Sequence, residues 1–188
     1  MNKYLQINTL LKFFSFFLVF MFLCNIQTVW WHQFFSHFPS PLLWLTLIVF
    51  FILKWPLYSG IFFSYFLGFV ALQYTHAPLK MIWFTLNFVY ILIWTFKSRI
   101  NSTSLISFAF LAALTSFLYS AFYFLFSHVF EQVPIRFNGL HRLTETGLTF
   151  IFSIPCYFVF SWIDDQFKIK EKWNSEKNNT RQTGDELL

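Results

Sequence analysis

The side chains able to do chemistry are few, and they are spaced too widely for most of it. Cys24 and Cys156 stand far apart in apolar runs, with no CxxC pair and no histidine at metal-ligand spacing. They are expected as buried thiols acting as small hydrophobes. No serine stands in a GxSxG turn, no HExxH occurs, and the first acidic residue of the chain is Glu131, so no carboxylate precedes it to orient a histidine. Nothing here points to an enzyme, a metal ion or a cofactor. The polar residues within or beside apolar stretches are Asn25, Gln27, Gln73, His76, Asn87 and His128. Asn87 is the best placed, and its expected role is an interhelical hydrogen bond that fixes register, contributing about 0.6–2 kcal/mol; substrate binding is the alternative. His141, Arg142 and Glu145 cluster at the start of the last apolar run. They are expected as interfacial anchors, with a headgroup or partner contact as the sharper alternative, and Glu145 suits the positive end of a helix dipole.

These residues sit in a chain that is 57% hydrophobic, 25% aromatic and 11% charged, against about 25% charged in a soluble domain. That composition excludes an ordinary soluble globular protein, and the scarcity of Gly and Pro excludes a disordered or collagen-like one. The formal charge of +5 does not indicate nucleic-acid binding, because Lys and Arg are scattered at loop spacing instead of gathered on one face. The expected class is an all-α polytopic membrane protein, six transmembrane helices in one bundle, working inside the bilayer or at its surfaces.

The expected spans are residues 13–29, 41–53, 57–74, 78–96, 104–127 and 143–163. The first follows Lys12 and lacks a small-residue cleavage site, so it is expected to be retained as an anchor, with Trp30, Trp31 and His32 as an interfacial belt. The second opens at Ser40-Pro41 and, at 13 residues, is short for a span; snorkelling of Lys54 or a thinned bilayer would let it cross. The third carries Gly60, Ser64 and Gly68 on one face, and the fifth carries Ala109, Ala113, Ser116 and Ser120. Such small-residue stripes admit close helix approach, which in lipid replaces the hydrophobic drive. Pro155 should kink the sixth span. From Asp164 a polar tail of Lys, Glu and Asn follows, with a composition expected to be disordered.

With six spans, one side holds Lys3, Lys12, Lys54, Lys97, Arg99, Lys168, Lys170, Lys172, Lys177 and Arg181, and the other only Lys80, Arg136 and Arg142. The excess of basic residues puts both termini in the cytoplasm. The sequons at Asn101 and Asn178 then face the cytoplasm and are chance matches.

The run from Pro41 through Leu53, then Lys54-Trp-Pro-Leu-Tyr-Ser-Gly60, the Gly60, Ser64, Gly68 spacing and the turn at Ala77-Pro78-Leu79 together resemble the rod-shape-determining protein MreD family. The resemblance covers residues 40–100, and beyond them only span count and length. Two acids common in that family are replaced here, by Leu42 after Pro41 and by Leu72 or Gln73 at the end of the third span. The resemblance implies a non-enzymatic inner-membrane component of the elongation machinery of rod-shaped bacteria. Its implied partners are an MreC-type single-pass protein and, through it, wall-synthesis enzymes and MreB. The substrate-binding membrane subunits of energy-coupling-factor vitamin transporters are also six-span chains of this length; such a subunit would need a polar pocket at its outer face.

Overall fold

A computed structural model describes the backbone of residues 3–75, 77–97, 104–131 and 138–185, and within these the side chains from Leu10 to Phe167. His76, Arg99, the Asn101 sequon and Arg136 lie outside the described residues. So do the side chains of Lys3 and of the tail from Lys168, which include the Asn178 sequon.

Every regular element among the described residues is helical. Helix α1 (Lys3–Asn25) runs through a π-helical turn (Ile26–Trp30) into the short α2 (Trp31–Phe34). Then come α3 (Leu43–Lys54), α4 (Leu57–Ala71) with a 3-10 turn (Leu72–Tyr74), α5 (Leu79–Phe96), α6 (Leu105–Phe130) and α7 (Gly139–Asp185). Pro56 and Pro78 directly precede α4 and α5 in extended conformation, where a proline costs no intrahelical hydrogen bond. Five stretches are long and apolar enough to cross a membrane: Leu10–Phe34, Leu57–Tyr74, Leu79–Phe96, Leu105–Phe130 and Gly139–Phe167. Large apolar side chains, including Phe14, Phe22, Tyr58, Phe62, Phe84, Phe110 and Phe158, are exposed on each of them. In water such a surface would be untenable; in hydrocarbon it is the ordinary exterior.

The expected second span is the exception. Helix α3 has 12 residues, about 18 Å at 1.5 Å each, well short of a hydrocarbon core of about 30 Å. It neither lengthens toward Ser40 nor meets lipid: every residue from Leu43 to Leu53 is buried. The other long helices form a ring in the order α1, α7, α6, α5, α4 and back to α1, and α3 touches all five. It is the hub of the bundle. Phe50 lies between Phe16 of α1 and Phe160 of α7, with ring centroids 5.8 and 5.5 Å away, and Trp44 meets Phe20 and Tyr119 edge-on.

Other boundaries also move. The last helix starts at Gly139 and does not stop at Ile163: the backbone is helical as far as Asp185, through the part of the tail expected to be disordered. Pro155 lies on the exposed side of α7 without ending it. Trp31, expected at the interface with Trp30, is buried; its indole N–H donates to the Phe38 carbonyl at 3.2 Å, and its ring meets Phe152 at 5.4 Å. Because α1 and α7 run antiparallel and meet at Lys12 and Asp164, both leave the bundle at the same end.

Candidate functional site

The small-residue stripes fold inward. Gly60, Ser64 and Gly68 are all buried, and the two glycines face side chains of α5. A Cβ on Gly60 would collide with the Tyr90 hydroxyl, and one on Gly68 would stand 3.3 Å from Cδ1 of Trp83. Each glycine therefore seats the polar tip of an α5 aromatic side chain. On α6, Ala109, Ser116 and Ser120 are buried while Ala113 is half-buried; Ala112 and Thr115, absent from the expected stripe, are fully buried. A periodicity closer to 3.6 than to 4.0 selects Ala112 over Ala113. Asn87 is half-buried on α5, and no side-chain hydrogen bond from it is found among the described residues.

Glu145, expected as an interfacial anchor, and Asp164, expected at the start of a solvated tail, are both buried. Asp164 is 3% exposed, and its Oδ1 lies 2.6 Å from Lys12 Nζ. That ammonium also stands 5.6 Å from the Trp55 ring. Nearby, Lys97 caps α3 from outside: its Nζ donates to the Trp55 carbonyl at 3.3 Å and lies 4.1 Å from the Trp94 ring. Burial lowers the Lys97 ammonium from its ordinary value. These cations close the negative end of the hub helix.

The second carboxylate is at the other end. Glu145, 5% exposed, accepts a hydrogen bond from Arg142 Nη1 at 2.7 Å. One turn on, Thr149 donates to the Glu145 carbonyl at 2.8 Å and accepts the Leu42 N–H at 3.0 Å. Thr149 is ten residues into α7, about 15 Å from its start. The hub helix therefore begins well inside the bundle, and polar side chains occupy the layer beyond it. On one side of Trp44 are Tyr119, Tyr123, Arg142, Glu145 and Thr149, with the two tyrosines in electrostatic range of Arg142. On its other side are Gln27, Thr28, Tyr74 and Thr75, around a cavity of about 10 Å³ that would admit a single water. Asn25, just before the π turn, donates to the Met21 carbonyl at 2.8 Å and to Tyr74 Oη at 3.4 Å, tying α1 to the end of α4. The i, i+3 spacing of Arg142 and Glu145 is legible in the sequence; their place beside the buried start of α3 is not.

Cys24 and Cys156 are buried free thiols. Among the described residues no group of three or more His, Cys, Asp or Glu is placed to hold a metal ion.

The fold and its apolar exterior define an all-α multi-pass membrane protein whose protein-facing core surrounds a short central helix. No family model matches the chain, and no curated protein or solved structure is found similar to it.

Proposed function

We propose that this chain is a non-enzymatic membrane scaffold that holds an MreC-type single-pass protein and, through it, wall-synthesis enzymes and MreB. It would thereby serve the elongation machinery that sets rod shape. In this reading it sits in the bacterial inner membrane, crosses it six times if α3 and the chain leading into it count as one crossing, and keeps both termini in the cytoplasm. The asymmetry of basic residues supports that orientation.

The observation that carries the docking role is the outward face of α4. Its small residues are buried, the two glycines against α5, so what α4 offers outward is aromatic: Tyr58, 87% exposed, with Phe62, Tyr65, Phe66 and Phe69. Together with Ile61 and Trp83 they bound a shallow groove of about 440 Å³, with Tyr65 stacked on Trp83 at 4.4 Å. Rigid aromatic walls suit the side chains of a second helix, since van der Waals packing is what associates helices in lipid. The resemblance over residues 40–100 supplies the class of partner.

The test is a photocrosslinking residue at Phe62 or Phe69 in the native bacterium, with Phe158 of α7 as the comparison site. The expected result is a crosslink to the MreC-type protein from α4 alone, and rounding of rods on depletion. Normal rods after verified depletion, together with no MreC-type protein in the crosslinked or copurified material, would overturn the reading.

A further inference from the structure

Two helices leave the regular α-helical ladder beside one another. The π turn of α1 carries Gln27 and Thr28 and closes with the Trp31 N–H reaching back to the Ile26 carbonyl, while the 3-10 turn that ends α4 leads into Thr75. Both turns belong to stretches apolar enough to cross the membrane, Leu10–Phe34 and Leu57–Tyr74, where bulk water does not reach polar groups that the turns leave over. Between them, against Trp44 of the hub helix, is the cavity of about 10 Å³ bordered by Gln27, Thr28, Tyr74 and Thr75. Gln27 Oε1 is buried and has no hydrogen-bond partner among the described residues. Thr28 donates its hydroxyl proton to the Cys24 carbonyl at 2.8 Å, which leaves its oxygen as an acceptor. Thr75 is the converse: its oxygen accepts the Ala77 N–H at 3.3 Å, and its proton finds no acceptor among the described residues. Tyr74 is already engaged, accepting from Asn25 Nδ2 at 3.4 Å and donating to Met21 Sδ at 3.6 Å.

We propose that this cavity is the site of one internal water molecule, which donates to Gln27 Oε1 and Thr28 Oγ1, accepts the Thr75 hydroxyl, and so ties the π turn of α1 to the end of α4. Three hydrogen bonds are the usual complement of a buried water, and the volume is that of one. The donor set decides against a hard cation, because no carboxylate borders the cavity and such ions take six or more oxygens. Size decides against an organic ligand. The water also fits the place of the π turn. A threonine hydroxyl turned back on the carbonyl four residues earlier bends a helix, and a water inserted beside the ladder holds it out of register. The effect reaches Trp31, where the chain returns to α-helix and from which the indole must meet the Phe38 carbonyl and the Phe152 ring. This site does not depend on the scaffold reading.

The test uses the purified full-length chain in detergent micelles, with isotope-labelled glutamine and water-to-amide cross-peaks read by NMR. Gln27, identified by the peak lost in Gln27→Leu, should show a cross-peak of the sign given only by a water held for longer than a nanosecond. Thr75→Val keeps the shape and removes the donor. In it the Gln27 cross-peak should vanish, and hydrogen exchange at the amides from Gln27 to Trp30 should quicken about fivefold with the α7 amides unchanged. Thr75→Ser should restore both, and thermal unfolding is followed on each variant to show that it remains folded. No long-lived water at Gln27 in the unaltered chain, a reading that needs no variant to fold, would overturn the site; so would a cross-peak unchanged in Thr75→Val. Thermal stability that rises with sodium or potassium at constant ionic strength, and loses that rise in Thr75→Val, would overturn water in favour of a monovalent cation.

Discussion

Helices α3 and α4 follow one another across Trp55 and Pro56 and are both dominated by apolar side chains, yet their surroundings are opposite. From Leu43 to Leu53 nothing on α3 reaches the exterior, whereas α4 buries one face and exposes Tyr58, Phe62, Phe66 and Phe69. In a water-soluble protein an all-round apolar helix is a buried one. In a bilayer that inference fails, because lipid receives apolar side chains as readily as protein does. What separates the two helices is length and residue size. A 12-residue helix cannot span alone and is stable only where other helices cover its ends. The buried face of α4 carries the glycines that let bulky neighbours close over it.

The contrast can be broken most severely at its centre. Phe50→Ala should cost about 3–5 kcal/mol, because neither lipid nor water can refill a void enclosed by Phe16 and Phe160. Phe62→Ala on the exposed face of α4 should stay within about 0.5 kcal/mol, since lipid fills the space. Unfolding in mixed detergent and dodecyl sulfate micelles measures both, and equal losses would erase the distinction between hub and rim.

A smaller effect sharpens the account of the glycine face. Gly60→Ala forces a methyl group against the Tyr90 hydroxyl and should destabilise by about 1–3 kcal/mol. That hydroxyl is buried and makes no hydrogen bond among the described residues, so Tyr90→Phe alone should be neutral or stabilising. The double variant should then recover much of the Gly60→Ala loss; additive effects would mean that the two do not touch. Least in magnitude, Thr149→Val keeps the shape but removes the acceptor for the Leu42 N–H, at a cost of about 1 kcal/mol. Its diagnostic is faster hydrogen exchange at the Leu42 amide with the α7 amides unchanged.

Much of the helical framework is visible in composition and punctuation. Pro56 and Pro78 mark the starts of α4 and α5 within a residue of where they occur, and runs of Phe and Leu announce the long helices. The polar layer beyond α3 is harder to see. Glu145 and Asp164 lie at the two ends of one apolar run, where the first suggests a dipole partner and the second the start of a solvated tail. Their burial depends on Arg142, on Lys12 from 152 positions earlier in the chain, and on the shortness of α3.

By itself, then, the sequence determined that this protein is helical and lives in a bilayer, because hydropathy and helix-start chemistry act over a few residues at a time. Tertiary structure alone decided which apolar helix is the hub, which side chains fill the glycine seats and which carboxylates are withdrawn from solvent. The physical reason is that lipid and protein interiors are equally apolar. The choice between them is therefore made by shape, helix length and the pairing of distant charges, none of which a local pattern of hydrophobicity can report.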